Sequence, residues 1–187
     1  MADQQTYYLK NFNNTCCYKW LSHCLSLHRI EVFQITAGKV ITRSDDRKKT
    51  EFAIQEAGFV ILKDKNLIAL ENIKQAVFEL VQLQSNQSSI IQKSEYLIEK
   101  LNMSYPQISR IFNKYMSITL EKYIIKHKIE KIKEMIDDDS YSLSEIAYIM
   151  DYSSVAHLSA QFKKETELTV SDYKALDVKP REDLSLL

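Results

Sequence analysis

The apolar positions change rhythm partway along the chain. In the first 65 residues short runs and alternation dominate: YYLKNF, RIEVFQITAGKVITR and FVILK read as strands, and Ala37-Gly38 falls where the middle stretch turns back as a hairpin. Between them TCCYKWLSHCLSLH and SDDRKKTEFAIQEAGF carry helical spacing. In the latter, Ser44 is placed as N-cap, Asp45 and Asp46 suit the first turn, and Gly58 suits the position just past the C-cap. The predicted order is β-α-β-β-α-β. From Asn66 onward strand signals fade, Ile73, Val77, Leu80 and Val81 begin a helical spacing, and QSNQSS at 84–89 is the one loop-like cluster before position 137. The patterns predict an α+β domain over 1–65, an all-α domain over 66–178 and a flexible tail over 179–187.

The all-α part repeats itself. ISRIFNKYMSITLEKY (108–123) and LSAQFKKETELTVSDY (158–173), set 50 residues apart, agree at Ser109/Ser159, Phe112/Phe162, Lys114/Lys164, Thr119/Thr169 and Tyr123/Tyr173. Both copies follow a short apolar helix and a break: EYLIEKL then Asn102, SEIAYIM then Asp151. Each therefore reads as helix, short turn, second helix. Ser142-x-x-Glu145 and Ser104-x-x-Gln107 are capping boxes, and Pro106 is tolerated because a first helical turn needs no intrahelical N–H. Helical spacing turns Ile108, Ile111, Phe112 and Tyr115 inward in the first copy and leaves Pro106, Ser109, Arg110 and Asn113 outward. In the second, Leu158 and Phe162 turn inward while Ala156, His157, Ala160, Gln161 and Lys164 face out. Between them LEKYIIKHKIEKIKEMI aligns Leu120, Ile124, Ile125, Ile129, Ile132 and Ile136 as a rod holding the units at fixed separation, with lysines 122, 126, 128, 131 and 133 on a solvated face beside Glu130 and Glu134. Successive major-groove faces of DNA lie about 34 Å apart on one side, so two units on one chain suit a pair of adjacent grooves.

Residues 68–176, above all KIEKIKEMIDDDSYSLSEIAYIMDYSSVAHLSAQFKKETELTVSDYK, resemble the tandem helix-turn-helix DNA-binding domain of AraC-type transcriptional regulators. The resemblance implies a seven-helix domain that inserts one recognition helix per unit into adjacent major grooves of double-stranded DNA. The family's base-facing positions then match Pro106, Ser109 and Arg110 in the first unit, and Val155, Ala156, His157 and Ala160 in the second. Asp151 and Glu167 stand where the family usually has glycine, Val170 where it has proline, and Ala160 where it often has the arginine that Arg110 supplies in the first unit. One bidentate arginine–guanine contact is worth about 1–3 kcal/mol of discrimination, so Arg110 is expected to dominate sequence choice. His157 can donate to one acceptor, while Val155 and Ala156 sense only shape or a thymine methyl.

Charge tempers this picture. The chain sums to zero, and residues 90–187 hold 14 Lys+Arg against 16 Asp+Glu, a net of −2. General attraction to phosphate is therefore weak, and local contacts must supply it: Lys114, Lys163 and Lys164, with the helix N-termini opened by Ser104 and Ser154. The alternative is a protein-binding adaptor or a metallochaperone-like relative with weakened DNA binding.

The β-α-β-β-α-β order of the first domain is that of ferredoxin-like folds, and YYLKNFNNTCCYKWL resembles a heavy-metal-associated domain, whose C-x-x-C binds soft cations. Cys16 fits the first thiol, but Lys19 occupies the place of the second and sets a cation where the metal would sit. Cys24 lies two helical turns away, on the order of 10–12 Å. Cys16 and Cys17 remain the metal candidates, Cys17 also being the thiol best placed to react, and the expectation is no bound metal and no cofactor. The domain is read as sensing a signal or mediating association, through a homodimer or a signalling partner. Three cysteines form no disulfide framework, no apolar run reaches a membrane span, and no leader or transit pattern opens the chain, which together predict a cytoplasmic protein. With no nucleophile–base pairing or phosphate loop, no enzyme is expected.

Overall fold

The computed structural model describes residues 4–12, 15–86, 93–182 and 184. The chain divides into two compact units between Gln75 and Ala76, inside a helix and beyond the 64–66 region where the strand pattern ends.

The first unit runs β1 (Gln4–Leu9), α1 (Thr15–Leu27), β2 (Glu31–Thr36), β3 (Lys39–Arg43), α2 (Arg47–Glu56), β4 (Ile61–Leu62) and the first half of α3 (Lys65–Asn86). Its sheet has the order β2-β3-β1-β4 with every neighbouring pair antiparallel. β1 starts earlier than YYLKNF suggests because Gln4, Gln5 and Thr6 pair with Arg43, Thr42 and Ile41. Alternation sends Tyr7, Leu9 and Val40 into a core closed by Leu21 and Leu25 of α1 and Ala53 and Ile54 of α2. The β2–β3 hairpin turns at Ala37-Gly38, with Thr36 opposite Lys39 and Gly38 at φ +74°, a conformation a Cβ disfavours.

Asp46 rather than Ser44 caps α2. Its carboxylate accepts the Lys49 N–H at 2.9 Å, whereas Ser44 Oγ accepts the Asp46 N–H at 3.2 Å and so braces the cap itself. Gly58 is the left-handed residue past the helix end, at φ +87°. The Gly58 and Phe59 N–H groups donate to the Gln55 and Ile54 carbonyls and complete a Schellman closure. Of the QSNQSS stretch, 84–86 continue α3, and 87–89 lie outside the described residues.

The second unit holds the rest of α3, then α4 (Lys93–Leu101), α5 (Tyr105–Tyr115), α6 (Leu120–Asp138), α7 (Leu143–Ile149), α8 (Val155–Thr166) and α9 (Val170–Lys174). Its repeat is structural. The N-caps Ser104/Ser154 and Thr119/Thr169 lie 50 residues apart, and Thr119 and Thr169 accept the N–H of Lys122 and Asp172 in the same way. The repeated Phe/Tyr pairs meet in both copies, Phe112–Tyr123 at 5.0 Å between ring centroids and Phe162–Tyr173 at 5.5 Å.

Several side chains depart from the periodic reading. Tyr115 is exposed because α5 ends on it. Lys128 and Lys133 are buried, not solvated: Lys128 donates to the Met150 carbonyl, and Lys133 reaches Glu130 at 2.6 Å and the Pro180 carbonyl at 3.1 Å. Residues 179–182, read as the start of a flexible tail, are strapped along α6. Lys179 and Arg181 both pair with Asp137, at 2.7 and 2.6 Å, and Glu182 pairs with Lys126 at 2.6 Å. Burial would raise the Asp137 carboxyl, but its hydrogen bonds and charge contacts with Lys179 and Arg181 outweigh that and hold it below its ordinary range.

Asp151 and Glu167 both take left-handed backbone, at φ +56° and +63°. Asp tolerates that region through its short polar side chain; Glu has no such compensation. Glu167→Gly is therefore expected to stabilise the protein by about 0.5–1 kcal/mol, the relieved strain being partly offset by the greater freedom of the unfolded chain. Urea unfolding checks this, and a destabilised variant would mean that the Glu167 side chain contributes more than its backbone costs.

Candidate nucleic-acid interface

In the first unit Gln107 Oε1 accepts from both the backbone N–H of Ser104, at 3.1 Å, and its hydroxyl, at 2.9 Å, which fixes the start of α5. Ile108 and Phe112 are fully buried and Ile111 half-buried, so the opposite face carries Pro106 and Arg110 exposed and Ser109 half-exposed. Asn113 is exposed but engaged. Its Nδ2 donates to Ser109 Oγ at 3.3 Å, and its Oδ1 accepts the Leu120 N–H at 3.1 Å, which ties the end of α5 to the start of α6.

The second unit is built likewise. Ser154 Oγ accepts the His157 N–H at 3.0 Å, Leu158 and Phe162 are buried, and Ala156, His157 and Ala160 are exposed. Val155 is half-buried against the core of this unit. Gln161 is drawn aside, its amide donating to Glu165 at 3.1 Å, and Glu165 is itself paired with Lys122 of α6 at 2.5 Å. Of the base-facing candidates named from the sequence, Asn113 and Gln161 thus serve internal bonds and Val155 packs against the core, leaving Pro106, Ser109 and Arg110 on α5 and Ala156, His157 and Ala160 on α8. The small side chain of Ala160 borders an open groove of about 480 Å³ lined also by Ser159, Lys163, Ser171 and Lys174.

Among the described residues no carboxylate is paired with Arg110, Lys114, Lys163 or Lys164. The other surface cations of α6 are already used: Lys122, Lys126 and Lys131 pair with Glu165, Glu182 and Glu134. Among the described residues of 90–187 the exposed cations in no salt bridge therefore lie on α5 and α8, the two second helices of the repeat. The Asp172 carboxyl, lowered by its hydrogen bonds with Thr169, is lowered further by the nearby charge of Lys163. Spacing alone did not show the surroundings of His157. Ser153 Oγ lies 3.0 Å from its Nδ1 and the Tyr152 ring meets it edge-on. The Ser153/His157 separation of one helical turn is the only trace of this in the sequence.

In the first unit of the chain Cys16 is exposed, while Cys17 and Cys24 pack against the core. His28 is bonded to Glu56 at 2.7 Å. Among the described residues no three His, Cys, Asp or Glu side chains converge as metal ligands.

Residues 97–175 match the family model described as a helix-turn-helix domain. The xylose operon regulatory protein of Haemophilus influenzae is 27% identical over 78 residues, covering 42% of this chain and 20% of that relative. The chain thus spans about a fifth of the length of that curated protein. Two solved structures are also similar. One is the C-terminal domain of AraT, a response regulator from Geobacillus stearothermophilus, at 23% identity, 59% and 89% coverage of the two chains and a TM-score of 0.46. The other is a transcriptional regulator with an AraC-type DNA-binding domain from Chromobacterium violaceum, at 16% identity, 57% and 95% coverage and a TM-score of 0.46. No helix among the described residues is long and apolar enough to cross a membrane.

Proposed function

We propose that this chain is a sequence-specific, double-stranded-DNA-binding transcriptional regulator of the AraC type, acting in the cytoplasm and not as an enzyme. The observation that carries the reading is the duplication: two helix–turn–helix units repeat their caps and their buried Phe/Tyr pair at a 50-residue offset and share the single helix α6. Such a pair presents α5 and α8 as the recognition helices for adjacent major-groove faces. Arg110 supplies base discrimination in the first unit, and Lys114, Lys163, Lys164 and the capped N-termini at Ser104 and Ser154 hold phosphates. The matched helix-turn-helix region, and the regulatory role named for the Haemophilus relative, support the reading.

The N-terminal region, residues 1–65, is read as a ferredoxin-like domain for sensing or association, with β-α-β-β-α-β order and the strand order β2-β3-β1-β4 in its favour. Its likeness to heavy-metal-associated domains is one of arrangement only, with Lys19 where a second thiolate would stand. The acidic balance of residues 90–187 favours a second reading, a protein-binding adaptor. A gel shift on the upstream region of the protein's own operon separates the two. The regulator should retard that duplex ahead of a scrambled one of equal length at moderate salt, and equal retardation of both, or none, would favour the adaptor.

A further inference from the structure

The turn before α8 contains a connected set of side chains around the exposed His157. His157 Nδ1 lies 3.0 Å from Ser153 Oγ, and the imidazole meets the Tyr152 ring edge-on with centroids 5.2 Å apart. Behind the turn, the buried Lys128 of α6 donates to the Met150 carbonyl, and its ammonium sits 5.2 Å from the centroid of the same Tyr152 ring. Burial, with the nearby Glu165 charge, pushes the Tyr152 hydroxyl up to about 12, so the ring stays neutral beneath the histidine. The His157 N–H is bound by Ser154 Oγ. Backbone and ring of one exposed histidine are therefore both held, between Ala156 and Ala160, whose side chains carry no polar atom.

This holding matters in two ways. A side chain already fixed loses little rotamer freedom when it meets a ligand, so more of its hydrogen-bond energy appears as affinity. With Nδ1 engaged by Ser153, Nε2 is the ring nitrogen left for a base edge. The negative potential of a duplex favours the proton on the nitrogen nearer to it, so the Ser153 hydroxyl donates to Nδ1 and Nε2–H becomes an outward donor. In the major groove guanine offers N7 and O6 side by side as acceptors, whereas adenine sets N7 beside an amino donor, thymine sets O4 beside a methyl group, and cytosine offers a donor; an Nε2–H therefore has two acceptors to meet only on guanine.

We propose that His157 is the specificity-determining residue of the second unit, reading a guanine through Nε2–H, and that Ser153, Tyr152 and Lys128 are its positioning residues. The inference rests on the reading of the chain as a DNA-binding regulator, and it gives α8 a reading role that its missing arginine at Ala160 would deny it.

Selection from a pool of randomised duplexes at fixed salt tests it, using the full chain and the variants Arg110→Ala, His157→Ala, Ser153→Ala and Ser153→Thr, with thermal unfolding measured on each. The wild type should enrich two half-sites about one helical turn apart. His157→Ala should lose guanine preference about three- to tenfold at one position of one half-site, the worth of a single hydrogen bond, while the half-site that depends on Arg110 is unchanged. Ser153→Ala should weaken that same position and Ser153→Thr should restore it, all with unfolding midpoints near wild type. A merely structural role would lower enrichment at every position together, and that pattern, or a His157→Ala motif identical to the wild type, overturns the inference while leaving the DNA-binding reading standing. A wild-type chain that enriches no sequence overturns the DNA-binding reading itself and the inference with it.

Discussion

Arg110→Ala should lower the ratio of specific to nonspecific DNA affinity by roughly 5- to 150-fold, the equivalent of about 1–3 kcal/mol for a bidentate guanine contact, while leaving the fold intact. Arg110 is exposed on α5, opposite the buried Ile108 and Phe112, and among the described residues it is paired with no carboxylate. Removing it breaks no ion pair and opens no cavity, so a loss of discrimination cannot be charged to unfolding. Lysine should rescue poorly, since an ammonium keeps the charge without the planar fork. The converse change, Ala160→Arg, places a long donor at the equivalent position of α8 beside an open groove and is expected to tighten binding or broaden it. Fluorescence anisotropy at fixed salt with specific and scrambled duplexes measures the ratio; an unchanged ratio for Arg110→Ala would remove Arg110 from the recognition scheme.

What the sequence disclosed well is what has a short period or a local cap. The hairpin at Ala37-Gly38, Gly58 past the end of α2, and the boxes Ser142/Glu145 and Ser104/Gln107 all depend on residues a few positions apart, and the structure forms each of them. The repeat was legible for a related reason: Phe112/Tyr123 and Phe162/Tyr173 are the same contact made twice, so the chain writes it twice. Local spacing is ambiguous where two local solutions compete or a partner is distant. Ser44 and Asp46 are both acceptable caps, and only the backbone path decides for Asp46. Lys128 and Lys133 look like solvent-facing positions of a charged helix, yet each finds a carbonyl far along the chain, Met150 or Pro180, that permits burial. The same limit hid the internal roles of Asn113 and Gln161. A side chain's outward position on a helical wheel does not reveal that Leu120 N–H or Glu165 is within reach of it.

Phe162→Ala is expected to cost about 3–5 kcal/mol, the range for removing a large buried aromatic side chain, and to dismantle the second helix–turn–helix unit. Phe162 is fully buried, packs edge-on against Tyr173 of α9, and belongs to a cluster that joins Leu158 of α8, Ile146 and Ala147 of α7, and Ile129, Ile132 and Ile136 of α6. One vacancy there loosens four helices at once, and a small domain holds only about 5–15 kcal/mol in total. The first unit should answer differently. Phe112 has its own buried neighbour in Tyr123 and does not belong to the Phe162 cluster, so Phe162→Ala should leave part of the α5 structure protected. Hydrogen exchange on the full chain would then show fast exchange over α7–α9 with slower exchange retained in α5, alongside a lowered unfolding midpoint. In DNA binding the variant should keep contacts from one unit only, with a shorter selected motif and weaker affinity. A loss under about 1 kcal/mol would mean that the α6–α9 core closes without Phe162. Uniform loss of protection through α5 as well would mean that the two repeats fold as one cooperative body, with α6 transmitting the defect from the second to the first.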